Sequence, residues 1–99
     1  MIVVLDPHGP PRLADLERLD RLHAEVHGPF DAVRLDDLCE RADDEHVWLH
    51  VGRARTIGVA TAADPAFGDG FDAMIGYAAS KGWLNDAGTH VRAHVEAAV

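Results

Sequence analysis

Residues 46–61 read HVWLHVGRARTIGVAT and carry the strongest alternation of side chains in the chain. Every second residue is apolar over 47–51, and again over 57–59, on either side of a segment that contains Gly52. A period of two is typical of a strand, and a short break with glycine is typical of a hairpin. The stretch therefore predicts a β-hairpin with one apolar face. The opposite face would carry His46, Trp48, His50, Thr56, Gly58 and Ala60.

Three segments precede this hairpin. Residues 2–5 form a short apolar run that an Asp-Pro pair ends, which indicates a buried strand. Over residues 13–26, apolar side chains recur every three or four positions and a Gly-Pro pair follows, which predicts an amphipathic helix. Residues 30–45 fit neither period well, and we expect an irregular strand followed by one turn of helix.

Two segments follow the hairpin. A helix is predicted to begin near Asp69, because apolar residues then recur at helical spacing, and to end at Lys81-Gly82. A last strand should begin at about Thr89, with Val91 and the alternate residues after it turned inward.

The predicted order of elements is strand, helix, irregular segment, strand, strand, helix, strand. With residues 30–45 as an insertion, this is the β-α-β-β-α-β order of the ferredoxin-like sandwich. Right-handed crossovers would place both helices on one face of a mainly antiparallel sheet of four or five strands. We therefore expect a single α+β domain over residues 1–99. Its core should include Val3, Leu5, Leu16, Val26, Leu49, Ile57, Val59, Met74, Ile75 and Val91.

Composition indicates a folded protein rather than a disordered one, since 47 % of the residues are hydrophobic and 26 % are charged. The single cysteine, Cys39, cannot form an internal disulfide, which fits a reducing compartment. No apolar run approaches the ~20 residues of a membrane span. Arginine greatly outnumbers lysine and alanine is abundant, which is typical of a GC-rich bacterial genome. We expect a bacterial, cytoplasmic protein without membrane contact.

The formal net charge is −8, and the acidic excess is concentrated in residues 30–45. Nucleic-acid binding needs a basic surface, so this balance argues against it. The acidic residues would attract a basic protein partner, or would simply form a solvated surface. They are Asp31, Asp36, Asp37, Glu40, Asp43, Asp44 and Glu45.

A binding site is predicted on the sheet face that the helices leave uncovered. There, Trp48 would lie beside the small residues Gly58 and Ala60, which leaves a hollow of the kind that binds small molecules. Two alternatives are a second copy of the sheet packed on this face, and a cover made by another segment of the chain. The residues predicted to contact a ligand are Trp48, His50, Arg92, His94 and Glu96.

Two kinds of chemistry are disfavoured. Histidines four residues apart on a strand are about 13 Å apart, so neither His46 with His50 nor His90 with His94 can share a metal ion. A metal site would need one histidine from each strand and a carboxylate such as Glu96, and no spacing matches a structural zinc pattern, so none is predicted. No serine or cysteine has a histidine beside it in sequence, which leaves acid–base catalysis as the enzymatic alternative.

The sequence therefore predicts a small ligand-binding domain that uses the open sheet face and forms a homodimer. One alternative is an acidic protein-binding module of the inhibitor, antitoxin or immunity type. Another is a small acid–base enzyme that uses His50 or His94.

Overall fold

The computed structural model describes residues 1–98, which form a six-stranded mixed sheet and two helices. The strands are β1 (Ile2–Leu5), β2 (Arg12–Ala14), β3 (His23–Val26), β4 (Cys39–Arg41), β5 (His46–His50) and β6 (His90–Ala97). The helices are α1 (Val51–Thr61) and α2 (Phe67–Ser80). The strand order is β2-β1-β3-β6-β5-β4. β3 runs parallel to both β1 and β6, and the other neighbours are antiparallel.

This topology shows that the predicted ferredoxin-like sandwich is wrong. The sheet has six strands instead of four or five, and it is mixed instead of mainly antiparallel. In the sequence, both helices lie between β5 and β6, which are neighbours in the sheet. A pair of helices therefore connects these two strands. The structure does agree with the predicted α+β class and with a single sheet.

The second strand of the predicted hairpin is in fact the helix α1. Its buried side consists of the small residues Ala54 and Gly58. A Cβ atom on Gly58 would lie 2.2 Å from Cε1 of Phe67, so the glycine lets α2 pack closely against α1. The β-branched residues of this segment favour a strand, and tertiary packing overrides that preference. Ile57 consequently packs at the margin of the core, while Val59 is 52 % exposed.

The helix predicted over residues 13–26 is replaced by two strands, β2 and β3, and a loop of residues 15–22 between them. Its leucines are spaced by three residues, and each such step falls about 60° short of a full helical turn. Four of them would therefore spread around a helix instead of forming one stripe. In the loop, Leu16, Leu19 and Leu22 all pack against the core.

Residues 30–45 contain a single turn of 3₁₀ helix, Phe30–Ala32, and then the edge strand β4. The expected order of strand and helical turn is therefore reversed. β4 pairs antiparallel with β5, with Cys39 opposite Leu49.

Four predicted elements are confirmed. β1, β5 and β6 lie where alternation or a short apolar run placed them, and α2 begins two residues before the predicted start at Asp69. Gly82 has φ +77°, the left-handed conformation that commonly ends a helix.

The core lies between the helices and one face of the sheet, here called the covered face. Strand residues on it, such as Val3, Val47 and Leu49, are fully buried, and Phe71 of α2 is their largest buried neighbour. Of the ten predicted core residues, five are buried, namely Val3, Leu5, Val26, Leu49 and Val91. Four pack against the core while partly exposed, namely Leu16, Ile57, Met74 and Ile75.

The opposite face of β3, β5 and β6 is here called the open face. Neither helix covers it, and its side chains are largely polar. They are His23, Glu25, His46, Trp48, His50, His90, Arg92, His94 and Glu96. Among residues 1–98, no helix combines the length and apolar character that a membrane crossing requires.

Candidate functional site: a groove beside the histidine face

Strand β6 has two partners on one of its sides, and a groove opens between them. Residues 94–97 of β6 pair with β3, whereas Val91 forms a bridge with Leu84. The amide of Arg92 donates to the carbonyl oxygen of Trp83 at 2.8 Å. The 15–22 loop before β3 and the chain at Trp83 therefore flank an unpaired part of β6, which leaves a groove of about 790 Å³.

The apolar wall of the groove comes from three parts of the chain: the 15–22 loop, helix α2 and β6 with the residues before it. Gly70 lets the loop approach the helix, since a Cβ atom there would lie 2.8 Å from Cδ1 of Leu19. Tyr77 and Trp83 form the exposed rim, with their ring centres 5.9 Å apart. The apolar residues of the wall are Leu19, Leu22, Met74, Ile75, Trp83 and Val91.

The polar wall is positively charged in a chain that is otherwise acidic. Arg21 and Arg92 line it and form no ion pair with any of residues 1–98. Asp20 also lines the groove, but it binds Arg18 at 3.2 Å, and this hydrogen bond lowers the pKa of the Asp20 carboxyl group. Among the arginines, Arg12 is the other one without a carboxylate partner in this part of the chain, and it does not line the groove.

Histidines of β5 and β6 face one another across the strands. The antiparallel register places His46 opposite His94, and His50 opposite His90. The two imidazole ring centres are 5.5 Å apart in the first pair and 4.9 Å apart in the second, both nearly perpendicular. One histidine from each strand therefore meets another, because the two strands are neighbours, whereas Glu96, the carboxylate suggested for a metal site, contacts His23.

In the first pair, a residue of the turn before β5 orients the ring of His46. Nδ1 of His46 lies 2.9 Å from Oδ1 of Asp43, which also accepts the amide N–H of Glu45 at 2.7 Å. The hydrogen bonds from Glu45 and His46 lower the pKa of the Asp43 carboxyl group. Asp43 therefore fixes both the turn and the orientation of the His46 ring.

The second pair is tied to other structure. His50 precedes α1, and its Nδ1 accepts the amide N–H of Arg53 at 3.1 Å, which makes His50 the N-cap of the helix. The side-chain oxygen of Asn85 accepts the amide N–H groups of Thr89 and His90, and Nδ1 of His90 lies 2.7 Å from the Thr89 hydroxyl oxygen. These contacts give His50 and His90 structural roles.

All five predicted ligand contacts lie on the open face, but the groove unites only two of them, Arg92 and His94. Trp48 is half-buried opposite Arg92 and does not line it. His50 lines a second, shallower depression of about 540 Å³. Glu96 lies 3.1 Å from Nε2 of His23.

The small residues predicted to form a hollow beside Trp48 do not lie on its face of the sheet. Gly58 and Ala60 belong to α1, and Gly58 contacts Phe67 on the covered side of the sheet. Sequence reasoning also missed the apolar wall, because the pattern places its residues in the core or at helix ends. The sequence signal for this wall was Trp83, a large aromatic residue directly after the glycine that ends the helix.

The acidic residues of 30–45 are mostly paired within the chain. Arg41 binds Asp31 and Asp44, and Arg34 binds Asp36. The free cysteine is buried, and this burial raises the pKa of the Cys39 thiol to about 12. A thiol that is buried and protonated is a poor nucleophile.

Within the part of the chain that the structure describes, no three His, Cys, Asp or Glu side chains converge as a set of metal ligands. Comparison of the chain with protein-family models, with curated proteins and with solved structures finds no match.

Proposed function

We propose that the protein binds a small amphipathic carboxylate in the groove between α2, the 15–22 loop and β6. The observation that carries this proposal is the pair Arg21 and Arg92, two cations at the edge of an apolar cleft that form no ion pair with any of residues 1–98. The chain as a whole has a net charge of −8, so unpaired cations at one cavity are unexpected from composition.

The size and lining of the groove support a ligand of this class. Small-molecule sites usually measure roughly 300–1,000 Å³ and have apolar walls with a few polar groups that orient the ligand. The wall of Met74, Ile75 and Trp83 suits an alkyl or aromatic body. A guanidinium group suits a carboxylate, because its N–H groups can donate two parallel hydrogen bonds.

The proposal is tested with decanoate and with decanol, which has the same alkyl chain without the charge. A Trp48→Phe background leaves Trp83 as the single fluorescent tryptophan, and Trp83 lies at the rim of the groove. We expect decanoate to change its emission and to bind at least about tenfold more tightly than decanol, because a hydrogen bond to a charged group contributes about 1.5–3 kcal/mol.

The matched variants are Arg92→Gln and Arg12→Gln, since each removes one guanidinium group that forms no ion pair within residues 1–98. We expect Arg92→Gln to weaken decanoate binding about tenfold and to leave decanol binding unchanged, whereas Arg12→Gln should change neither. Equal affinity for the two ligands, or an equal loss in both variants, would show that the groove does not recognise carboxylates.

Three further expectations from the sequence stay predictions: the location, the homodimer and the basic protein partner. We infer a cytoplasmic location in a bacterium from the reduced, buried Cys39 and the composition. Light scattering tests the predicted homodimer. A pull-down with a basic protein at low and high salt tests the acidic surface, on which Glu40 and Glu45 have no ion pair within residues 1–98.

A further inference from the structure

The two cross-strand histidine pairs have the separation that metal chelation requires. A tetrahedral metal ion at about 2.0–2.1 Å from two imidazole nitrogens holds the ring centres about 5.2 Å apart. The ring centres of His46 and His94 are 5.5 Å apart, and those of His50 and His90 are 4.9 Å apart. Distance alone does not distinguish the pairs, but their protons do.

In the first pair, the ring nitrogen of His46 that makes no hydrogen bond can donate its lone pair to a metal ion. An ionised carboxylate only accepts hydrogen bonds, so Nδ1 of His46 carries the proton that it shares with Asp43. In the neutral ring, Nε2 of His46 then has a lone pair. Metal-binding histidines typically have this second contact, in which a carboxylate orients the ring. Neither ring nitrogen of His94 is hydrogen-bonded to any of residues 1–98.

In the second pair, the proton of His50 lies on the nitrogen that a metal ion would need. Nδ1 of His50 accepts the amide N–H of Arg53, so Nε2 carries the proton in the neutral ring. Nδ1 of His90 lies 2.7 Å from the hydroxyl oxygen of Thr89, which can donate or accept a hydrogen bond, so the contrast between the two pairs rests on His50. Binding a metal through Nε2 of His50 would displace that proton to Nδ1 and break the helix cap.

We propose that His46 and His94 together bind a divalent transition-metal ion of the zinc class, with Asp43 as the residue that orients His46. The protein supplies two imidazole ligands, which suit zinc, copper and nickel, and water completes the coordination. Both histidines line the groove, so the open positions of the metal would face it. The site stands on the register of β5 and β6 and does not depend on carboxylate binding.

The test uses Zn²⁺ alone, added to the whole chain in the absence of any groove ligand. Affinity is measured by competition with a chromophoric zinc indicator, and the ligands are identified from the imidazole nitrogen resonances by NMR. We expect one equivalent to bind and to shift Nε2 of His46 and one nitrogen of His94. His94→Asn should remove this binding.

Two further variants make the test specific. Asp43→Asn keeps Oδ1 for the turn but removes the charge of the carboxylate and replaces Oδ2, which lies 3.1 Å from Nδ1 of His46, with an NH₂ group. Zinc affinity should therefore fall by about 10- to 100-fold. His50→Asn is the control, because asparagine is itself a good N-cap and the helix should be retained. The proposal is overturned if wild-type protein binds no zinc, if His94→Asn binds as tightly as wild type, or if His50→Asn loses as much affinity as His94→Asn.

Discussion

The two faces of the sheet belong to the same strands but have different roles. On the covered face, side chains such as Val47 and Leu49 are fully buried under α1 and α2. On the open face, their neighbours His46 and Trp48 are partly exposed, and His46 contacts Asp43 of the preceding turn and His94 of β6. Because successive residues of a strand point to opposite faces, β5 and β6 each contribute to the core and to the groove at once.

This difference separates stability from binding. Substitutions on the covered face should cost stability, since they remove buried apolar area and leave cavities. Substitutions on the open face should alter binding while the protein stays folded. Variants on both faces test that separation, and the largest change in the free energy of unfolding is expected at Phe71.

Phe71→Ala should destabilise the protein by about 3–5 kcal/mol, because it removes the largest fully buried side chain between α2 and the sheet. Urea denaturation followed by far-UV circular dichroism measures the loss. Tyr77→Ala is the control in the same helix, and it should cost far less because Tyr77 is 58 % exposed. Similar losses in the two variants would mean that α2 does not pack as described.

The segments of the chain also differed in how well the sequence predicted them. β5, β6 and α2 each show a single clear period, and each forms where that period placed it. The segments that failed have patterns that suit two structures. In α1 the β-branched residues alternate as in a strand, while the close contact of Gly58 with Phe67 of α2 favours the helix. Such a contact between distant segments leaves no local signal.

The candidate site was predictable only in part for a related reason. Alternation placed Arg92 and His94 on the open face, and the structure confirms that placement. The groove itself depends on where the 15–22 loop and Trp83 meet β6. Both contacts are long-range, so the apolar wall could not be distinguished from the core by sequence pattern.

Gly58→Ala should destabilise the protein by about 1–3 kcal/mol, because the new methyl group would overlap the ring of the buried Phe67. Gly76→Ala is the matched control in α2, where a Cβ atom would meet nothing within 4 Å. That variant should be neutral or stabilising, since alanine favours a helix over glycine. Thermal unfolding of both variants decides the matter, and a neutral Gly58→Ala would contradict the close contact of α1 with α2.

Cys39 on the covered face should make stability fall at high pH. The pKa of its thiol is 9.0 in the unfolded chain and about 12 in the folded protein, because burial disfavours the thiolate. The folded state therefore holds the proton more tightly. The stabilisation is complete below pH 9.0 and is lost at roughly 1 kcal/mol per pH unit as the pH rises toward the folded value.

The measurement is urea denaturation over this pH range for the wild type and for Cys39→Ala. The wild type should lose stability more steeply with pH than the variant, whose residue 39 has no proton to release. Parallel pH dependences would show that the thiol is accessible to water in the folded protein.

His94→Ala and Arg92→Gln on the open face should change the free energy of unfolding by no more than about 0.5 kcal/mol, since both side chains are exposed. Chemical denaturation measures the change. A loss comparable with that of Gly58→Ala would mean that the open face stabilises the fold, and the division between the two faces would not hold.

The groove is tested most directly by NMR of labelled protein with bound decanoate. We predict intermolecular NOEs from the alkyl chain to the methyl group of Met74 and to the indole of Trp83, together with a shift of the Arg92 side-chain N–H resonance. NOEs to the second depression, at Ile57 and Thr56, or an unshifted Arg92 resonance in the saturated complex, would contradict carboxylate binding in the groove.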